Sequence, residues 1–268
     1  MARLSRRALL GATLAAGAGP AFAQPAPAPA PAPAPSTPAL AQCRAGTLYL
    51  TIDTGWGREA EMIAAILRRR EIRATLFVAN EPDFRGGMTL DESWGPFWRA
   101  RAAEGHAFGS HTWRHWYLAG DVGAERVRYA SRRAGEGSEV LDAAALRAEL
   151  SHPIAALRAL APAARVLPLW RAPGGHTTPN ALRLAAAAGF RHQGWSANGF
   201  LGDELDSDRF PNATLAARAL RSIRPGEVLL MHWGVRSRRE PLALVLEDIL
   251  SGLQARGFCF ATLPETGA

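Results

Sequence analysis

The chain contains no lysine, and only two cysteines occur in its 268 residues. Its formal charge of +7 is therefore carried by arginine alone, and Arg3, Arg6 and Arg7 lie in an N-terminal segment that reads as removable. The mature charge is then about +4, since 7 − 3 = 4. That surplus is spread along the chain with no interleaved aromatic patch, which argues against nucleic acid as a partner. No glycine-rich phosphate loop, internal repeat or separate carbohydrate-binding module is present. Two near-motifs fail at one position each. Gly194-Trp195-Ser196-Ala197-Asn198 lacks the last glycine of a serine-nucleophile elbow. His111-Thr112-Trp113-Arg114-His115 has Thr112 where the zincin motif needs glutamate as its base.

With 48% hydrophobic residues the chain can bury one substantial core, and an α/β barrel of this length commonly forms one domain. Residues 1–23 carry the three parts of an export signal: a basic start, an apolar run, and Ala21-Phe22-Ala23 as a small-x-small cleavage site. Within it, Ser5-Arg6-Arg7-Ala8-Leu9-Leu10 resembles a bacterial twin-arginine signal, an ordinary secretory signal being the alternative. The segment is short and glycine-rich for a membrane span. The expectation is a periplasmic or secreted protein with no stable membrane insertion after signal removal. Residues 24–42 form a Pro/Ala-rich linker, in which proline predicts an extended tether without a core. Residues 43–268 remain for a single catalytic domain. Cys43 and Cys259 bracket it, and in an oxidising compartment they suit a staple across its ends. Two separately buried thiols are the alternative.

Along that domain, strand and helix patterns alternate. Strands are expected at 47–53, 73–79, 106–109, 165–171, 190–195, 227–232 and 258–262. Helices are expected at 59–70, 98–104, 139–160 with an interruption near Pro153, 179–188, 214–223 and 241–256. In the first of these, Met62, Ile63, Ile66 and Leu67 recur at helical spacing. Residues 81–95 read as a surface insertion over the barrel mouth, and 120–137 as a loose region. The alternation implies a parallel sheet with its site at the strand C-terminal ends. Asp53, His111, Arg171, Trp195 and His232 all fall at such ends. His111 and His115 are four apart, so a helical turn would bring both imidazoles to one face and suit a divalent metal.

Five stretches carry the chemistry: Thr51-Ile52-Asp53-Thr54-Gly55, His111-Thr112-Trp113-Arg114-His115, Arg171-Ala172-Pro173, Gly194-Trp195-Ser196 and Leu229-Leu230-Met231-His232. In that order they resemble the polysaccharide deacetylase family, also called the NodB-homology family or carbohydrate esterase family four. The resemblance covers Leu48 to about Leu263 and implies an α/β fold, a distorted (β/α) barrel. It implies hydrolysis of N-acetyl groups on a sugar or polysaccharide by metal-assisted attack of water. Asp53 would be the general base, Arg171 would orient it, and His232 would protonate the departing amine. His111 and His115 would bind a divalent ion, zinc first and cobalt or nickel next. Trp195 and Pro173 would contact an N-acetylated carbohydrate, and the protein would act as a monomer.

Two departures stand out. The family's second aspartate, a metal ligand, is Thr54 here, so the resemblance implies an ion that binds weakly or is lost. The acid that follows the fourth-motif tryptophan is missing, with Asn198 and Asp203 as its replacements in the neighbourhood. These departures keep two other readings open: a metal-independent amide or ureide hydrolase of the same fold, like the allantoinase-like branch, and an inactive glycan-binding barrel. His106 is expected to pack or bond to backbone. His152, His176 and His192 are expected to do no chemistry, although His176 is close enough to Arg171 to line the mouth.

Overall fold

The computed structural model describes residues 43–133, 135 and 137–268; the export signal and linker expected over 1–42 lie outside the described residues. In chain order the elements are β1 (Gly46–Asp53), α1 (Ala60–Arg69), β2 (Thr75–Val78), α2 (Gly95–Ala103), β3 (Ala107–Ser110), β4 (Tyr117–Val122), β5 (Arg126–Ala130), β6 (Ser138–Leu141), α3 (Ala143–Leu160) and β7 (Arg165–Trp170). They continue with α4 (Pro179–Ala187), β8 (Arg191–His192), α5 (Asn212–Ser222), β9 (Val228–His232), α6 (Ala243–Ala255) and β10 (Phe258–Phe260).

The main sheet is parallel, in the order β10-β1-β2-β3-β7-β8, with β9 also on β1. The first residues of β1 pair with β10 and the remainder with β9. On the far side, among the described residues, no regular strand closes the curl. Residues 196–201 run along β9 instead: the Ser196 N–H donates to the Val228 carbonyl at 3.1 Å and the Leu230 N–H to that of Gly199 at 2.9 Å. The result is the parallel sheet that the alternation implied, curled into the distorted (β/α) barrel that the family resemblance implied.

Period-two alternation along β1 decides which side chains enter the barrel. Leu48, Leu50 and Ile52 are fully buried and belong to the outer core with Ile63 and Leu67 of α1 and Leu246, Leu250 and Leu253 of α6. Tyr49 lies on the opposite face, among Phe77, Leu167, Leu169 and Val228. Asp53, two steps beyond Thr51 on that inner face, is thereby carried to the barrel mouth. In α1, Ile63, Ala64, Ile66 and Leu67 are the buried stripe. Met62 is 46% exposed, which removes it from the expected apolar face.

Three stretches differ from expectation. Residues 120–137 are not loose throughout, because β4, β5 and β6 form an antiparallel sheet. Its outer face is charged, and its inner face buries Leu118, Val127, Tyr129 and Leu141 against Leu146 and Leu150 of α3. A single apolar face alternating with charge gives a weak sequence signal. The helix expected from 139 begins at Ala143, with the Asp142 side chain accepting from the Ala145 N–H at 2.9 Å as its N-cap. It runs through Pro153 without ending, since Leu150, Ile154 and Leu157 around the proline are buried. The strand expected at 190–195 narrows to β8, two residues long.

Cys43 and Cys259 form a disulfide across 216 residues of chain, joining the start of β1 to β10. Chain-entropy bookkeeping gives such a closure about 5 kcal/mol of stability. Among the described residues no helix is long and apolar enough to cross a membrane.

Candidate active site

Asp53 ends β1 and His232 ends β9, and the two are register partners on neighbouring strands. Arg171, one residue past β7, lies across the barrel from them and is fully buried. Its Nη1 donates to Asp53 Oδ1 at 2.8 Å and to Thr51 Oγ1 at 2.8 Å. Its Nε donates to the Gln193 carbonyl and its Nη2 to that of Gly194, each at 3.0 Å. The guanidinium is thus held on every side and cannot swing away from the carboxylate. Burial would raise the Asp53 pKa, but Arg171, His111 and His232 outweigh it and hold the carboxyl below its usual range.

His232 faces the other acid that the sequence left open. Its backbone N–H donates to Asp203 Oδ2 at 2.6 Å, and its Nδ1 lies 3.2 Å from the same oxygen. Asn198 is elsewhere, its amide donating to Glu227 Oε1 at 2.9 Å on the surface. Asp203 is therefore the partner of His232, although it lies well beyond the tryptophan motif in sequence. Burial favours the neutral ring, yet Asp203, then Glu204 and Asp53, outweigh it and raise the His232 pKa to about 10. The ring carries its proton at neutral pH.

His111 follows β3 and His115 completes the motif, but they do not meet through a helical turn. Thr112 (φ 63°) and His115 (φ 56°) both have left-handed backbones, a conformation that costs a non-glycine residue about 1–3 kcal/mol. The loop they form turns the rings so that their Nε2 atoms stand 3.1 Å apart. Glu149 on α3 holds it there: its Oε2 accepts from the Trp113 and Arg114 N–H groups, each at 3.1 Å, and its Oε1 accepts from Arg114 Nε at 2.6 Å. Tyr129 on β5 donates to Glu149 Oε2 at 3.0 Å and accepts from the Trp116 N–H. The expected spacing argument is corrected in mechanism, since a braced loop does the work of the helix.

These groups line a cavity of about 660 Å³ at the barrel mouth. Trp56, Tyr117 and Trp195 wall it, with Glu204, Arg133 and Arg236 toward its rim. Glycines behind Pro173 make the walls fit. Gly174 and Gly175 both have positive φ, and a Cβ would stand 2.3 Å from the Tyr117 ring at the first and 2.7 Å from the Trp195 ring at the second. Pro173, expected at the substrate, is buried beneath this wall, and Gly174 meets the cavity in its place. Trp195 lines it as expected, but from the loop beyond β8. His176 sits behind Tyr117, with ring centroids 5.5 Å apart, and is not a lining residue. His106 accepts from the Ala74 N–H at 2.9 Å, as a structural histidine does.

The donor set fits a divalent cation. His111 Nδ1 lies 2.9 Å from the Arg171 carbonyl, which can only accept, so the proton is on Nδ1 and Nε2 is a bare lone pair. Burial lowers the His111 pKa to about 4, which keeps the ring neutral. That lone pair points at His115 Nε2 and lies 3.4 Å from Asp53 Oδ2. Among the described residues no three such donors are already gathered into one coordination shell. Thr54, at the doubtful ligand position, is buried, and its hydroxyl accepts from the Ala79 N–H at 3.1 Å. Sequence reasoning missed Glu81, Glu149 and Tyr129. Glu81 lies in the loop that leaves the C-terminal end of β2, three residues past Val78, and its nearness to the strand ends is the signal that could have found it. Its Oε2 is 3.7 Å from His115 Nδ1, and its Oε1 is buried without a hydrogen-bond partner.

The strand ends of this (β/α) barrel bring a carboxylate, Asp53, and an imidazole, His232, to one cavity, the kind of pair that acid–base hydrolysis uses. The family model described as polysaccharide deacetylase matches residues 42–192, and the chain belongs to that family; a deacetylase of an N-acetylated sugar is a hydrolase of carbon–nitrogen bonds. A chitooligosaccharide deacetylase of Azorhizobium caulinodans is 25% identical over 229 residues, 81% of this chain and 93% of that protein. Among solved structures, a family 4 acetyl xylan esterase from Clostridium thermocellum in complex with a cobalt ion superposes with a TM-score of 0.60 at 18% identity, covering 81% of this chain and 87% of that one. A family 4 pseudoenzyme from Bacillus anthracis gives 0.59 at 18% identity and 82% coverage. This chain spans 64% of that protein's length, a little under two thirds. At these identities the structures share the fold.

Proposed function

We propose that the protein is an exported deacetylase that removes N-acetyl groups from an N-acetylated sugar or polysaccharide, with His111 and His115 holding a divalent ion, zinc in the first instance. The observation that carries the reading is that Asp53, held by Arg171, and His232, held by Asp203, face one cavity from the ends of adjacent strands. The similarity to a chitooligosaccharide deacetylase supports the choice of substrate class.

The ion supplies Lewis acidity when bound, polarising the acetyl carbonyl and making water easier to deprotonate. Everything else comes from the chain. Asp53 Oδ1 is occupied by Arg171, so Oδ2, the oxygen facing His111, takes the proton as water adds to the acetyl carbon. His232 holds its Nδ1 against Asp203, leaving Nε2 to give its proton to the nitrogen as the carbon–nitrogen bond breaks. Acetate and a free amine leave. Trp195, Trp56 and Tyr117 present flat apolar faces to the sugar ring and exclude water around the acetyl group.

The test is acetate release from N-acetylglucosamine oligomers. Turnover by the parent that is lost in Asp53→Asn and His232→Ala supports the assignment. Turnover that survives both substitutions sinks it.

A further inference from the structure

We propose that Glu81 supplies the carboxylate that the two-histidine site lacks at Thr54, acting on the ion through His115. The inference rests on the metal reading above and names one residue for it.

The position of Glu81 is fixed by backbone bonds. Its N–H donates to Thr89 Oγ1 at 3.1 Å, its carbonyl accepts from the Thr89 N–H at 2.9 Å, and Thr89 Oγ1 donates to the Ala79 carbonyl at 2.6 Å. The Asn80 N–H donates to the Trp113 carbonyl at 2.9 Å, tying this loop to the one that carries the histidines. Thr54 braces the same loop, because its hydroxyl accepts from the Ala79 N–H. The residue that displaced the family's carboxylate thus holds in place the segment that presents another.

The carboxylate itself is buried, with one oxygen toward His115 Nδ1 and the other unpartnered. An unpaired buried carboxylate oxygen is costly unless something in the working protein needs it. His115 Nε2 faces His111 Nε2, so Nδ1 is the nitrogen turned away from the convergent pair. A carboxylate on the Nδ1 side favours the tautomer with its proton on that nitrogen and leaves Nε2 free for the ion, as in carboxylate–histidine–metal arrangements. Glu81 is a positioning residue in this scheme and not a ligand.

The experiment uses the full chain with its disulfide intact, as parent, Glu81→Gln and Glu81→Ala, and measures zinc affinity by calorimetry. Glu81→Ala is expected to bind zinc about 10–100-fold more weakly. Glu81→Gln should lose less, since the amide oxygen keeps a polar group on the Nδ1 side of His115, and it preserves the side-chain shape should the alanine variant fold poorly. Nitrogen NMR should find His115 as the Nδ1–H tautomer in the zinc-loaded parent and mixed in Glu81→Ala. Visible bands of the cobalt-loaded protein should keep their positions in Glu81→Gln, because the ligands are unchanged. Equal zinc affinity in parent and Glu81→Ala overturns the proposal alone. Shifted cobalt bands make Glu81 a direct ligand and overturn the route through His115. A parent that binds no zinc overturns the metal reading and this inference with it.

Discussion

The two halves of the site are built differently. Asp53 and His232 stand on the last residues of paired strands, and each has its own buried partner, Arg171 and Asp203. His111 and His115 stand on a loop with two left-handed residues, and the carboxylate beside them has an oxygen without a partner. The strand-borne half is complete as a set of protein groups. The loop-borne half has no such pairing among its own groups. On the proposed reading an acid–base pair and an ion site share one cavity, and they should fail independently.

The largest effect is expected from the strand-borne half. Asp53→Asn keeps the shape of the side chain and removes the proton acceptor, so kcat should fall about 10²–10⁴-fold while zinc binding and the unfolding midpoint change little. A variant within a few-fold of the parent would show that Asp53 is not the base. The loop-borne half should respond in the opposite way. Glu149→Ala removes the acceptor of the Trp113 and Arg114 N–H groups and should lower stability by about 1–3 kcal/mol, together with zinc affinity. Denaturant unfolding and calorimetry check it, and unchanged zinc affinity would show that the loop holds its shape without α3.

The parallel sheet was legible from the alternation of strands and helices, with chemistry-bearing residues at the strand ends, and the barrel from the family resemblance; the inner and outer faces of β1 emerge from the structure. The antiparallel sheet was not, since Arg126, Arg128 and the glycines around it read as a polar surface while Leu118, Val127 and Tyr129 were too sparse to set a period. The histidine pair was legible as a pair, but the local geometry was not. A left-handed Thr112 depends on Glu149, 37 residues away by numbering, and no spacing rule reports it. Asp203 and Asn198 could not be separated in sequence because the choice depends on how 196–201 lie along β9. Glu81 stood near a strand end among many charges and was read with the insertion that follows it.

Two smaller effects sharpen the comparison further. The His232 pKa is raised to about 10, so its contribution to stability is fully present below the unfolded value of about 6.5 and is lost as pH rises through about 10. The same proton sets the alkaline limb of kcat/KM. Asp203→Asn should move that limb down from about 10 toward about 6.5 with little change in zinc affinity, and a limb that stays in place would separate Asp203 from the acid. Asn198→Ala should leave the pH profile and the rate within about 2-fold of the parent, as expected for an exposed side chain within the ±0.5 kcal/mol of ordinary surface changes.

The central claim is that an ion at His111 and His115 works together with Asp53 and His232 on an N-acetyl group. The most direct test is acetate release from N-acetylglucosamine oligomers by protein of known metal content, before and after exhaustive chelation and after zinc is returned. Turnover that tracks zinc, lost on chelation and regained on addition, is the predicted result. Full turnover by protein that elemental analysis finds free of metal would contradict it.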